Sequence, residues 1–118
     1  MKVLIIDDNE VAADLLAELL EDEHAVRTAY STAQALNAVK EERFDVALVD
    51  LNLPEVAGAV LARQLRSAQP ALVFIAVTAS SLWEIQESEA AATTFSYVLQ
   101  KPIHFEELAI YLRKLGGR

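Results

Sequence analysis

The sequence predicts an α/β domain in which a doubly wound, five-stranded parallel sheet is flanked by five helices, and two observations carry that prediction. Five short apolar runs alternate with five stretches of helical periodicity, and parallel neighbours require crossovers of this kind. In addition, runs such as Val3-Leu4-Ile5-Ile6 are continuously apolar. Such a run suits a strand covered on both faces rather than one half-exposed to water.

In order along the chain, strands are expected at Lys2 to Asp7, Ala25 to Tyr30, Phe44 to Asp50, Leu72 to Val77 and Tyr97 to Gln100. In the first helix Val11, Leu15 and Leu19 recur every four residues with Ala12, Leu16 and Leu20 alongside, and Asp14, Glu18 and Asp22 lie opposite. That is the pattern of one amphipathic helix. Ser31 or Thr32 can cap a second helix carrying Ala35, Leu36 and Val39. A third runs from Val56 to Ser67 with Val60, Leu61 and Leu65 inward, and a fourth is expected over about Ser81 to Ala92. The last has Phe105, Leu108, Ala109 and Leu112 as its apolar stripe, Glu106 and Glu107 in the first turn, and Arg113 and Lys114 in the last. That charge order complements the helix dipole, and Gly116 ends the element.

At 118 residues the chain is read as one domain, residues 1–118, with no linker, repeat or further module. Acids outnumber bases 18 to 10, a formal net charge of -8, which argues against direct binding of nucleic acid because phosphate backbones require cations. No cysteine is present, so disulfides and thiolate metal sites are excluded, as suits a reducing cytosol. No apolar run spans a bilayer and Lys2 leads straight into a strand, so a cytoplasmic location away from membranes is expected. Glycine-rich nucleotide motifs are absent, and His24 and His104 belong to no ligand set.

The segment KVLIIDDNE closes its apolar run on Asp7 and Asp8. Alone, this could mean only that Asp8 or Asn9 caps the next helix. A third acid, Asp50, closes the strand in FDVALVDLNLPEVAG, and strands four and five end on Thr78 and Lys101. In a parallel sheet all these tips share one edge, where ligands of open α/β sheets bind. Three converging carboxylates repel and need positive charge. Few, hard oxygen donors suit Mg²⁺, which with Lys101 balances the three aspartates. A phosphoryl group could then be held by the cation, the Lys101 ammonium and the Thr78 hydroxyl, with Asp50 as nucleophile because its strand reads as central.

The pieces LIIDDNE, DVALVDLNLPEVAG, AVTAS and QKPI, in this order and spacing, resemble the receiver domain of two-component response regulators (CheY-like), and the resemblance covers essentially the whole chain. It implies the flavodoxin-like strand order 2-1-3-4-5 and an aspartate that accepts a phosphoryl group from a histidine kinase or histidine phosphotransfer protein. By position, Asp50 corresponds to the phosphoacceptor, Asp8 and Asp50 to the direct Mg²⁺ ligands, Asp7 to a ligand acting through water, and the Asn52 carbonyl to the remaining ligand. Thr78 and Lys101 correspond to the switch threonine and the phosphoryl-binding lysine, and Pro102 follows a bond that is cis in many members.

Three positions depart from the family pattern. Val98 stands where a switching Tyr or Phe is usual, with Tyr97 one residue earlier; Tyr97 can replace that ring only if the strand bulges or slips. Thr93-Thr94 replaces the usual Ala-Gly before strand five, and His104 is a weak cap for the last helix. The resemblance implies that the first helix and the Asp50 edge face the kinase or phosphotransfer protein. Likewise the fourth helix, fifth strand and last helix would face a target or a second copy. Trp83 is by default a core residue, and a partner contact only where it is exposed. Two other readings stand beside the signalling one. A small Mg²⁺-dependent phosphohydrolase also uses an aspartate at a strand end, although its acids are usually one residue apart. A degenerate receiver would dock partners without phosphorylation.

Overall fold

The structure, a computed structural model, describes residues 1–54, 56–78 and 95–116. Over these residues the chain forms β1 (Lys2–Ile6), α1 (Glu10–Leu20), β2 (Ala25–Ala29), α2 (Thr32–Glu41), β3 (Val46–Asp50), α3 (Gly58–Ala68), β4 (Val73–Thr78), β5 (Tyr97–Gln100) and α4 (Phe105–Gly116). The helix expected over Ser81 to Ala92, with Trp83, and the Thr93-Thr94 turn lie outside the described residues. All strand pairs are parallel, as the pattern predicts, and the order is β2-β1-β3-β4-β5, as the resemblance implies. No helix among the described residues is long and apolar enough to cross a membrane.

Successive strand residues point to opposite faces, which divides the core in two. Val3, Ile5, Val46, Leu48, Ile75, Val77 and Leu99 meet Ala13, Ala17 and Leu20 of α1 and Leu108 and Leu112 of α4. Leu4, Ile6, Ala47, Val49, Phe74 and Ala76 meet Ala35, Ala38 and Val39 of α2 and Leu61, Ala62 and Leu65 of α3. Every residue of β3 is buried, which is why its sequence lacks alternation.

The first helix turns only part of its apolar set inward. Its inward face is Ala13, Ala17 and Leu20, while Val11, Leu15 and Leu19 are 78%, 56% and 46% exposed. Two residues, about 200° of helical rotation, separate Val11 from Ala13 and Leu15 from Ala17, so the stripes cannot both face inward. The small alanines let the helix axis come close to the sheet, and the larger side chains form an outer ridge.

Caps resolve two open alternatives. Asn9 accepts from the Ala12 N–H at 3.1 Å and is the N-cap of α1, and Ser31 accepts from the Gln34 N–H at 3.1 Å and caps α2. Asp8 is thereby left out of helix capping. The N-terminus of α3 has no side-chain cap; Gly58 instead packs directly on the backbone that follows β3. A Cβ at position 58 would lie 2.7 Å from both the Asp50 carbonyl oxygen and the Leu51 Cα. Gly58→Ala should therefore force α3 away from the tip of β3 and destabilise the fold by about 1–3 kcal/mol, as overpacking against backbone does. Urea unfolding checks the loss, and an unchanged midpoint would contradict this close approach.

Candidate functional site

Parity along the strands decides which tips converge. Asp7 continues the Val3, Ile5 series and Asp50 the Val46, Leu48 series, both directed to the α1–α4 layer, and Lys101 follows Leu99 on the same side. Carboxylate oxygens of Asp7, Asp8 and Asp50 all lie within 4.8 Å of one another. Asp7 and Asp50 are buried, 8% and 5% exposed, whereas Asp8 is open to solvent. Lys101 donates from Nζ to Asp7 Oδ2 and to Asp50 Oδ2, each at 3.3 Å, so one ammonium bridges the two buried acids. The Lys101-Pro102 peptide is cis.

The two buried acids are held in the same way, which the sequence reading missed. Asp7-Asp8-Asn9 and Asp50-Leu51-Asn52 share the pattern Asp-x-Asn, and in each the aspartate Oδ1 accepts from the asparagine backbone N–H at 2.9 Å. This local turn fixes one oxygen of each carboxylate and leaves Oδ2 facing Lys101. The repeated tripeptide at two strand ends was the available signal. Asn52 is itself exposed.

Burial raises the Asp7 carboxyl pKa; the Asn9 N–H and the Lys101 charge oppose this, the Asp50 charge reinforces it, and the outcome lies above the ordinary 3.8. For Lys101, burial alone would lower the ammonium, but the charges of Asp50 and Asp7 and their hydrogen bonds prevail and raise its pKa. The cluster is thus short of positive charge even with Lys101 present. Its hard, closely spaced oxygens could hold a metal ion, and a small divalent cation with oxygen preference fits that donor set.

Thr78 ends β4 at the same sheet edge, buried and paired in register with Gln100, and its carbonyl accepts from the Lys101 N–H at 2.7 Å. It continues the Phe74, Ala76 series and so belongs to the α2–α3 side, opposite the acids' layer. Beneath the acids a cleft of about 380 Å³ runs between α1 and the Pro102–Phe105 segment, walled by Leu15, Leu16, Leu19 and Ile103. Among the described residues, then, Asp7, Asp8, Asp50 and Lys101 meet directly, and Thr78 shares the edge.

A doubly wound sheet with an acid trio and a lysine at its carboxyl edge defines a receiver fold. The chain belongs to the response regulator receiver domain family, whose model matches residues 3–113, and is a receiver domain of two-component response regulators. The two-component response regulator PhoP of Pseudomonas aeruginosa is 34% identical over the whole of this chain, which covers 52% of that protein; the chain spans about half the length of the curated relatives it matches. A CheY-like response regulator receiver domain from Methylobacillus flagellatus is 30% identical with a TM-score of 0.87, covering 98% of each chain. A response regulator protein from Burkholderia pseudomallei, solved with a phosphorylated aspartic acid, calcium ion and citrate, is 32% identical with a TM-score of 0.81, covering 92% of this chain and 64% of that one.

The raised Asp7 pKa sets a sign. A proton bound more tightly in the folded state stabilises fully below the ordinary 3.8 and is lost as pH rises through the higher folded value. At neutral pH the Asp7 carboxylate therefore costs stability in metal-free protein. Asp7→Asn should stabilise that state at pH 7 by about 1 kcal/mol, a gain that fades below pH 3.8, as thermal melts across pH in chelator would record. Lys101→Met should do the reverse to the charge balance: Mg²⁺ affinity by titration calorimetry should rise, on the order of tenfold, because a neighbouring cation has been removed.

Proposed function

We propose that Asp50 is the phosphoacceptor of this receiver, taking a phosphoryl group from a histidine kinase or histidine phosphotransfer protein in a Mg²⁺-dependent reaction that switches partner binding. The observation that carries the reading is the Lys101 ammonium 3.3 Å from both Asp7 and Asp50 in a cluster whose three carboxylates lie within 4.8 Å. The phosphorylated aspartic acid and calcium ion in the Burkholderia relative add support.

On this reading Asp8, Asp50 and the Asn52 carbonyl hold Mg²⁺, with Asp7 acting through water. Bound there, Mg²⁺ would supply charge neutralisation at the phosphoryl oxygens. An Asp50 carboxylate oxygen attacks phosphorus, the bond from phosphorus to the donor nitrogen breaks, and the donor imidazole leaves. Asn9 and Asn52 hold the Asp7 and Asp50 carboxylates by their backbone N–H groups. Lys101 gives its ammonium to the incoming phosphoryl oxygens, a stabilisation that grows as charge moves onto them. Thr78 supplies a hydroxyl to another. Catalysis is confined to the domain's own phosphorylation and dephosphorylation, so we class it as a signalling module rather than an enzyme with an external substrate.

The partner surface we assign to the kinase or phosphotransfer protein is the α1 ridge of Val11, Leu15 and Leu19 beside the Asp50 edge. An exposed apolar stripe of three large side chains next to a reactive carboxylate favours a docking face over a solvated one. A second copy or a target would use β5, α4 and the segment over Ser81 to Ala92; Ile110 of α4 is 51% exposed. We further read residues 1–118 as one receiver unit of the cytoplasm, without membrane or direct nucleic-acid contact.

Incubation with Mg²⁺ and a small acyl or amidophosphate donor, followed by intact mass, should add one base-labile phosphate to the wild type and none to Asp50→Asn or to wild type in chelator. Equal labelling of both proteins would defeat the assignment. Leu15→Ser with Leu19→Ser should leave that small-donor labelling unchanged while slowing transfer from a cognate kinase at least tenfold, a separation expected when docking and chemistry use different residues.

A further inference from the structure

Asn9 belongs to the acid cluster and to the first helix at once. Its backbone N–H donates to Asp7 Oδ1 at 2.9 Å, closing the turn that contains Asp8. Its side-chain oxygen accepts from the Ala12 N–H at 3.1 Å and its carbonyl from the Ala13 N–H at 3.0 Å, and together these start α1. The residue is exposed, so its side chain does not serve to fill the core. The other Asp-x-Asn turn lacks this link: Asn52 precedes α3 by several residues, and the N-cap of that helix, Ala57, makes no side-chain hydrogen bond.

Cap geometry and amide direction are joined through the backbone. A cap residue accepts with its side chain in an extended conformation, which Asn9 holds at φ -82° and ψ 99°. That φ sets the direction of its N–H relative to the helix, and the N–H in turn fixes the Asp7 carboxylate. The helix is a firm reference, because Ala13, Ala17 and Leu20 pack it on the sheet. Asp7, Asp8 and Asp50 repel one another, so an unrestrained pair at the tip of β1 would move away from Asp50 until a cation drew it back. Restraint set up in advance removes that cost from the binding step.

We propose that Asn9 is a positioning residue of the metal site: by capping α1, its side chain fixes the amide that holds Asp7 and keeps Asp7 and Asp8 presented toward Asp50 before the cation arrives. This rests on the reading of the acid trio as the Mg²⁺ site of the phosphoacceptor.

Mg²⁺ titration calorimetry of the full chain tests it across Asn9→Ala, Asn9→Ser, Asn9→Gly and Ser31→Ala. Ser31→Ala is the matched control, because Ser31 caps α2 in the same way, 3.1 Å from the Gln34 N–H, and is no part of the acid cluster. Asn9→Ala should weaken Mg²⁺ binding by about tenfold, the scale seen when groups that orient metal ligands are removed. Asn9→Ser keeps a cap oxygen and should stay within about twofold of wild type. Asn9→Gly, tolerated at a cap with little loss of stability, should weaken binding as Asn9→Ala does. Ser31→Ala should lower the urea midpoint as Asn9→Ala does and leave Mg²⁺ affinity unchanged. In chelator, hydrogen exchange of the position-9 amide should speed up in Asn9→Ala and not in Ser31→Ala. Wild-type affinity in either Asn9→Ala or Asn9→Gly, unchanged exchange at position 9, or an equal loss of affinity in Ser31→Ala would make Asn9 an ordinary cap and overturn the proposal. The two readings fail separately. A wild type that binds Mg²⁺ but gains no phosphate from the small donor removes the phosphoacceptor reading and leaves the positioning role to be judged by the affinities, whereas a labelled wild type with undiminished Mg²⁺ binding in Asn9→Ala removes the positioning role alone.

Discussion

Two buried aspartates from different strands share one ammonium group, and most of what is specific to this chain is arranged around that contact. Asp7 and Asp50 repel each other in surroundings that hold them away from water, and Lys101 reaches both at 3.3 Å. The three residues are 43 and 51 positions apart along the chain. A parallel sheet alone can align such tips at one edge, and strand parity then turns all three toward the same layer. Local turns finish the work: the Asn9 and Asn52 amides hold one oxygen of each carboxylate, so Lys101 meets the other in a set orientation. Gly58 contributes from behind by letting α3 press against the tip of β3.

The arrangement leaves a shortage of positive charge, visible in the raised pKa of Asp7 despite the nearby ammonium. In a receiver this shortage is useful. A cluster fully neutralised by protein groups would have little affinity for a cation, and one with no lysine would lack a fixed charge for an arriving phosphoryl group. Stability is given up locally in exchange for a site that responds to charge. Such local loss at a functional edge is common where the surrounding core is well packed, as it is here on both sides of the sheet.

Two features shape the surface of this chain. The first helix turns alanines inward and carries its large apolar residues outside, which makes a ridge beside the reactive edge. At β5 the aromatic ring stands on the α4 side, stacked and hydrogen-bonded there, and a valine occupies the position facing the other layer. Both follow from one-residue or two-residue phase relations, about 200° on a helix and a full reversal on a strand. Small phase differences in sequence thus become large differences in surface.

The same reasoning separates what could be read from the chain alone from what could not. The fold class, the strand sequence and the gathering of Asp7, Asp8, Asp50, Thr78 and Lys101 at one edge were legible because they depend on apolar runs, crossovers and strand ends, all of which are local patterns with a fixed geometric consequence. The choice of Asn9 over Asp8 as cap, the inward face of α1, the sharing of Lys101 between two acids and the closeness of Gly58 to Asp50 were not. Apart from the Asn9 cap, a local contact with Ala12, each is settled by how elements distant in sequence approach one another, and helical periodicity is equally satisfied by an alanine face or a leucine face turned to the sheet. Sequence determined which residues reach the edge; tertiary packing decided which way they turn and what they touch there, because orientation depends on the distance and shape of a neighbour that no local pattern encodes.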